Sequence, residues 1–337
     1  MHGLAAALAR RGHQTTVVTL DRGPDGEPLP PGERDNVRYH RLPRLGHPRY
    51  PFAAGLIRAL SGADLVHVHG IDGLADQVAL ARPGVPAGLS THGGYFHTPW
   101  AHRIKQRWWR TVTLRTLRHL DAVWFSSEAD AERLGDLRGS VVENGIDAAR
   151  FAIAKPSPSA NRWLVLGRVV PHKGLGDLIA AMAMQRAPVG ELDVVGPITD
   201  RVRAELTDAV RGLPTRVRIW GARPRDFVRD RLARAAWAVF PSRYEGFGLA
   251  ALEVMGAGVP VIVSDIPALR DAVRDGGGRV VDFRDPRRAA EALDRIRSLP
   301  LCESRSAEAR AAGWSADWDA RVIGFEDAYH SMLGAWS

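Results

Sequence analysis

A single cysteine, Cys302, among 337 residues leaves no partner for an internal disulfide and no basis for a cysteine-ligated metal. Lysine is nearly absent as well: of 46 basic residues only Lys105, Lys155 and Lys173 are lysine. No apolar run approaches the roughly 18 residues that a membrane span needs. The short apolar stretch Leu4–Ala9 is followed by Arg10 and Arg11, whereas a secretory leader puts its positive charge first. A cytoplasmic location is therefore expected. No G-x-G-x-x-G follows a strand pattern with an acidic residue downstream, which speaks against a dehydrogenase. Acidic residues are missing altogether between Gln77 and Leu120.

What is present is a globular composition, 45% hydrophobic and 25% charged. The chain is long enough for two domains of about 150 residues each. A net charge of +8 asks for an anionic partner, whether nucleotide, nucleic acid or membrane surface. The arginine excess beside abundant Ala and Gly fits a GC-rich coding bias equally well. No nucleic-acid module accompanies the charge, so a nucleic-acid partner is not expected.

Apolar, β-branched runs alternate with helical patterns, the signature of parallel sheets built from βαβ units. In the first half Gln14–Leu20, Asp64–His69, Ala87–Thr91 and Ala122–Ser126 read as strands, and Leu4–Arg11, Leu74–Ala81 and Arg103–Leu120 as helices. Asp21–Pro51, rich in Pro, Gly and Arg, reads as mostly loop, and Lys155-Pro156-Ser157-Pro158-Ser159 as a linker. A second series of strands covers Trp163–Gly167, Leu192–Val195, Arg216–Trp220, Ala236–Phe240, Pro260–Val263 and Arg279–Val281. Its helices start near Gly174, Thr199, Arg225, Gly248, Pro267 and Pro286. A tail helix over Ala316–Leu333 carries Trp318, Val322, Ile323, Phe325 and Tyr329. The expected division is an N-terminal domain over 1–152, a C-terminal domain over 153–315 and the tail helix over 316–337.

The stretch from Arg243 to Glu253 is the most informative. A strand ends at Phe240-Pro241-Ser242, and a turn holding Glu245, Gly246, Phe247, Gly248 and Leu249 opens a helix. Free N–H groups and the positive dipole at such a helix start suit a phosphate, and Gly246 and Gly248 let the backbone approach a ligand. Glu245 and Glu253 would repel a diphosphate, so they suit sugar and ribose hydroxyls instead. A second constellation, Gly167-Arg168-Val169-Val170-Pro171-His172-Lys173-Gly174, sits where another strand ends, at the edge of an open sheet where ligands bind. Arg168 and Lys173 flank its turn and can neutralise diphosphate oxygens.

His92 and His97 flank Gly93-Gly94 at a strand end, where catalysis and plain loop hydrogen bonding both explain them. His67 and His69 alternate on one strand without a third ligand, so no metal is expected. Arg103, Lys105, Arg107 and Arg110, with Trp108 and Trp109, make a basic helix. It fits an anionic bilayer surface, or equally a solvated helix whose tryptophans enter the core.

Gly167-Arg168…Lys173-Gly174 together with Glu245-x7-Glu253 resembles the donor site of family 4 retaining glycosyltransferases of GT-B fold. Arg11-Gly12-His13, Asn144-Gly145-Ile146-Asp147 with Phe151, and Gly256-Ala257-Gly258-Val259-Pro260-Val261-Ile262 extend the resemblance over most of the chain. Ser90-Thr91-His92-Gly93-Gly94-Tyr95-Phe96-His97-Thr98 resembles bacterial exopolysaccharide mannosyltransferases that build lipid-linked oligosaccharides. The resemblance implies two Rossmann-like parallel-sheet domains facing a cleft, with the C-terminal helix crossing back to the first. It assigns Arg168 and Lys173 to the diphosphate. Glu245 and the Phe247–Leu249 amides are assigned to the donor sugar and phosphate, Glu253 to the ribose, and His92 to the anomeric carbon. Residues near Trp220-Gly221 are expected to meet the base. The implied donor is GDP-mannose or UDP-glucose, a co-substrate, with no resident cofactor. The implied acceptor is a saccharide or a polyprenyl-diphosphate-linked saccharide, met at the inner face of the membrane by His97, Arg103, Lys105, Arg107, Trp108 and Arg110. The departing phosphate is expected to take the acceptor proton. Asp317-Trp318-Asp319 spells the carboxylate pair of metal-dependent glycosyltransferases, but on the tail helix, and reads as solvated surface. Family members begin with a strand and a glycine-rich loop, and this sequence starts in the helix that follows, so the first sheet is expected to lack that strand. A nucleotide-sugar-binding relative without turnover and a sugar-nucleotide epimerase of the same fold stay open beside the transferase.

Overall fold

The computed structural model describes residues 1–23, 26–29, 31–47, 50–92, 107–153, 156–300 and 303–336. They fall into two units, Met1–Gly145 with Trp318–Ser337, and Ile146–Asp317.

The first unit opens with α1 (His2–Arg10), which buries Leu4 to Leu8, and β1 (Thr15–Leu20). The Asp21–Pro51 segment is not the loop expected. It carries β2 (Gly32–Arg34), β3 (Val37–Leu42), β4 (Arg44–His47) and the first residues of β5 (Tyr50–Ala53). β3 pairs parallel with β1 and antiparallel with β2, while β4 and β5 form a hairpin. Along β3 Val37 is buried, Arg38 and His40 are exposed and Tyr39 lies between. That is a half-buried strand's period of two, hidden in the sequence by the surrounding Pro, Gly and Arg.

A second sheet follows. Its elements are α2 (Leu56–Ala59), β6 (Val66–His69), α3 (Gly73–Ala81), β7 (Ala87–Ser90), α4 (Leu114–Leu117), β8 (Ala122–Phe125), α5 (Glu128–Arg133) and β9 (Ser140–Val141). The four strands are parallel, in the order β6-β7-β8-β9. Asp72 caps α3 by accepting from the Leu74 and Ala75 N–H groups, and Ser127 caps α5. Ahead of α4 a π-helical turn spans Trp109–Thr113. It puts Trp109 in the core at 6% exposure and leaves Trp108 44% exposed, so the two tryptophans part company.

The second unit alternates strand and helix throughout: β10 (Ser159–Leu166), α6 (Leu175–Met182), β11 (Glu191–Val195), α7 (Asp200–Ala209), β12 (Arg216–Gly221), α8 (Arg225–Arg234), β13 (Ala235–Phe240), α9 (Leu249–Gly256), β14 (Val261–Ser264), α10 (Pro267–Ala272), β15 (Gly278–Val281), α11 (Pro286–Arg297) and α12 (Glu303–Ser315). Its sheet is parallel, ordered β12-β11-β10-β13-β14-β15, the doubly wound arrangement. Every residue of β13 and β14 is buried, as strands covered by helices on both faces require. Trp163 and Trp237 pair across β10 and β13 in the core.

The linker reading fails where it can be followed. Ser159 is the first residue of β10, and the Ser157 N–H donates to the Ala233 carbonyl at 2.8 Å. Helix α12 had no counterpart among the expected elements. It lies so close to α9 that a Cβ on Gly313 would stand 2.1 Å from the Gly256 nitrogen.

The chain then returns to the first unit as α13 (Trp318–Gly334). Val322 and Phe325 pack on Leu4, Ala7 and Leu8 of α1, flanked by Arg10–Asp319 at 2.5 Å and Arg11–Glu326 at 2.7 Å. Ile323, on the same helix, is 49% exposed. Asp317 is not solvated surface either: it precedes the helix and accepts the Ala148 N–H at 2.9 Å. At the crossing a Cβ on Gly145 would lie 2.5 Å from the Trp318 ring.

Candidate functional site

In the second unit β10 has β11 on one side and β13 on the other, and the chain winds away from it in both directions. The loops after β10 and β13 therefore diverge at the C-terminal edge of the sheet, the place where doubly wound folds bind ligands. Both motifs singled out in the sequence are on these two loops. After β10 come Gly167, at φ +140°, and Arg168, then a 3₁₀ turn over Pro171–Lys173 that ends in Gly174 at φ +66°. A Cβ on Gly174 would stand 1.9 Å from the Pro241 carbonyl oxygen. Only glycine lets this turn rest against the end of β13.

Side chains staple the two loops together. Lys173 Nζ donates to Glu245 Oε1 at 2.5 Å, and Ser242 Oγ donates to the same oxygen at 2.9 Å. The Arg243 guanidinium grips both Asp177 oxygens at 2.7 Å, and its backbone N–H donates to the His172 carbonyl at 2.9 Å. Glycine again opens the next element: Gly248, at φ +79°, begins α9, and no side chain caps that helix. Its first N–H groups carry the partial positive charge of an unfilled helix start. Arg168 is exposed and has no protein partner among the described residues. An ammonium, a free guanidinium and a helix mouth thus share one sheet edge, which is the chemistry of a polyanion site.

The remaining second-unit residues fall around this centre. Gly246 is in the same turn, Leu249 is 40% exposed, and Phe247 packs on the Ile146, Ala148 and Leu252 cluster. Glu253, further along α9, is held by Arg150 at 2.9 Å. Burial pushes its carboxyl up, against the pull of the Arg150 charge. Trp220 donates its indole N–H to the buried Asp193 at 2.6 Å and meets Phe227 edge-on at 5.1 Å. Trp220 and Gly221 are the last residues of β12, and the Gly221 carbonyl accepts the Gly196 N–H at 2.9 Å.

Three neighbours were not foreseen. Gly196 ends β11 at φ +149°, where a Cβ would stand 1.8 Å from the Gly167 carbonyl oxygen. Its position in Val195-Gly196-Pro197, directly after an apolar strand, was the available signal. Ser242 and Arg150, the partners of Glu245 and Glu253, left none.

In the first unit His92 lies two residues beyond β7, exposed and at φ +50°, a rare backbone for a non-glycine residue. It is bonded to His69 and to Asn144. His67 is bonded to Tyr329 and Ser90. Arg107, Arg110 and Trp108 are exposed, and Trp108 Nε1 donates to the Tyr50 hydroxyl at 2.9 Å. His97, Arg103 and Lys105 lie outside the described residues. Among the described residues no three His, Cys, Asp or Glu side chains group as a metal site, and no helix is long and apolar enough to cross a membrane.

Comparison with known proteins extends these observations. The family models described as Glycosyltransferase Family 4 and as Glycosyl transferases group 1 match residues 1–150 and 148–312. A GDP-mannose:cellobiosyl-diphosphopolyprenol alpha-mannosyltransferase of Xanthomonas oryzae pv. oryzae (strain PXO99A) is 34% identical, covering 96% of this chain and 91% of the relative. A protein of the same name from Komagataeibacter xylinus is 30% identical, covering 96% of this chain and 86% of that one. Among solved structures, sucrose-phosphate synthase from Thermosynechococcus elongatus matches with a TM-score of 0.77 and 23% identity, covering 98% of this chain and 92% of that one. The fold is GT-B, two Rossmann-like domains, and the chain belongs to the family 4 glycosyltransferases.

Proposed function

We propose that this glycosyltransferase moves mannose from GDP-mannose to a saccharide carried on polyprenyl diphosphate, with retention at the anomeric carbon, in glycan assembly. The names of the two relatives support the donor and the acceptor class. The observation that carries the reading is the Lys173–Glu245 pair at the switch point, beside the uncapped start of α9. In the reaction the bond from the anomeric carbon to the diphosphate oxygen breaks and a bond to the acceptor oxygen forms. The acceptor proton goes to the departing diphosphate. Lys173, Arg168 and the α9 amides stabilise the charge that gathers there, the preorganised electrostatics that dominate such catalysis. As Lys173 turns to phosphate it releases Glu245 to the sugar hydroxyls. Glu253, held in place by Arg150, takes the ribose. The Trp220-Gly221 backbone meets the base, and His92 serves the anomeric centre.

A thermal-shift screen across nucleotide sugars tests the donor. GDP-mannose is expected to raise the melting temperature most, because a ligand at a hundredfold excess over its Kd adds about 2.7 kcal/mol. A larger shift with UDP-glucose would reassign the donor, and no shift with any nucleotide sugar would sink the reading. Conversion of one nucleotide sugar into another without acceptor would make the protein an epimerase.

From the proposed lipid-linked acceptor we infer that the protein works at the inner face of the cell membrane. Exposed Arg107, Arg110 and Trp108 support this, since cations and an interfacial tryptophan suit anionic headgroups. The protein should sediment with anionic liposomes and leave them at high salt. Equal binding to neutral vesicles, or none to either, would remove the membrane surface from the account.

A further inference from the structure

Strands β6 and β7 run parallel with His69 opposite Ser90, so their ends deliver polar side chains to one edge of the sheet. His67 and His69 point the same way from β6, their rings stacked at 4.0 Å. The His92 ring lies nearly parallel to that of His69, at 15° and 5.2 Å between centroids. His69 Nδ1 and His92 Nε2 are 2.9 Å apart. On the other side of the ring, Nδ2 of the buried Asn144 is 3.1 Å from His92 Nδ1. Both ring nitrogens of His92 are therefore occupied by protein.

The direction of these bonds follows from what each group can do. An amide nitrogen only donates, so His92 Nδ1 offers its lone pair to Asn144. A neutral imidazole has one proton, which then sits on Nε2 and is donated to His69 Nδ1; His69 in turn keeps its own proton on Nε2. Reversing the Asn144 amide reverses the sense of the chain and still leaves both nitrogens engaged. Although His92 is exposed, crowding by neighbouring atoms lowers it to about 4, and desolvation lowers His67 to about 3 and His69 as well. The charged groups acting on the His92 ring are the Met1 amine, which also lowers it, and the Asp130 carboxylate, which raises it. Thr91 and the Ser126 N–H hold that carboxylate. The left-handed backbone of His92, at φ +50°, persists only where its surroundings impose it.

We propose that Asn144 and His69 are positioning residues that clamp His92 by both ring nitrogens, so that His92 serves transfer as a fixed neutral ring and takes no proton from the acceptor. The proposal rests on the transferase reading, which gives His92 its place at the reaction centre. It extends that reading by giving Asn144 and His69 a part in turnover.

The test uses the full chain with Asn144→Ala, Asn144→Asp and His69→Gln, read by steady-state kinetics, thermal shift with GDP-mannose, and NMR titration of the His92 ring. In the unaltered protein the ring should titrate below pH 5. Asn144→Ala should lower kcat at least tenfold while the KM for donor and the donor-induced thermal shift change less than threefold. Asn144→Asp puts a carboxylate against the ring, so its midpoint should rise above pH 6 and kcat should acquire a new acid limb there. His69→Gln keeps a hydrogen-bonding partner and should retain more activity than Asn144→Ala. A ring that titrates above pH 6 in the unaltered protein would overturn the clamp, as would full kcat in Asn144→Ala. If the unaltered protein binds no nucleotide sugar, the transferase reading falls by itself, and the NMR titration still decides the clamp.

Discussion

Lys173→Ala is expected to lower transfer at least tenfold, equivalent to about 1.4 kcal/mol of barrier, with the second unit still folded. Lys173 lies in a short turn, and its side chain supports no core packing. What it supplies is a positive charge within reach of the switch point, now resting on Glu245. Charge accumulates on the diphosphate as the glycosidic bond breaks, and losing one preorganised donor to such charge costs roughly 10²–10³ in rate. Arg168 and the helix start remain, which keeps the loss near the lower bound. Glu245→Ala should also lose at least tenfold, through the sugar hydroxyls. Because Lys173 and Glu245 touch, the double variant should lose less than the sum of the two. Steady-state measurement of kcat/KM on all three proteins decides the matter. Unchanged turnover in both single variants removes this pair from the mechanism.

One residue further on, Gly174→Ala should cost stability in place of rate. The residue sits at φ +66°, where an L side chain is strained by roughly 1–2 kcal/mol. Its Cβ would also stand 1.9 Å from the Pro241 carbonyl oxygen, part of a backbone anchored to β13. Overpacking of that kind adds about 1–3 kcal/mol. For a unit of this size a total near 3 kcal/mol lowers the melting temperature by roughly 6–12 °C. Gly176→Ala is the control. A Cβ there meets nothing within 4 Å, and the residue is exposed on α6, where alanine is the better helix former by about 1 kcal/mol. Equal melting temperatures for Gly174→Ala and the unaltered protein would mean that the two loops do not meet as described.

Much of the second unit was legible because parallel strands covered on both faces read as unbroken apolar runs. Ala236–Phe240 and Val261–Val263 announce themselves in that way. Helix α12 did not, because its buried side is Ala309, Ala312 and Gly313. Such small residues give little hydrophobic contrast, and Gly313 packs by backbone approach to Gly256. β3 escaped for a different reason: a strand with one exposed face needs only alternate apolar residues, and Arg38, His40 and Arg41 masked them.

The site divides along the same line. Gly167 to Gly174 and Glu245 to Gly248 are local patterns, visible wherever the strands lie. Their meeting depends on β13 lying beside β10, an adjacency no local pattern encodes. The Arg243–Asp177 staple and the Lys173–Glu245 pair follow from that strand order. Asn144 stood in a motif that was noticed, yet its partner His92 is 52 positions away, so its task could not be read from the motif.

The placement of α13 also bears on how the polypeptide matures. Residues 146–317 form one uninterrupted stretch and can fold as soon as they clear the ribosome, since domains fold as units during synthesis. The unit made first has to wait. Leu4, Ala7 and Leu8 wait for Val322 and Phe325 to emerge, so the first unit is finished after the second. Nascent chains halted before Trp318 would present that greasy seam to chaperones and proteases while the second unit is already complete.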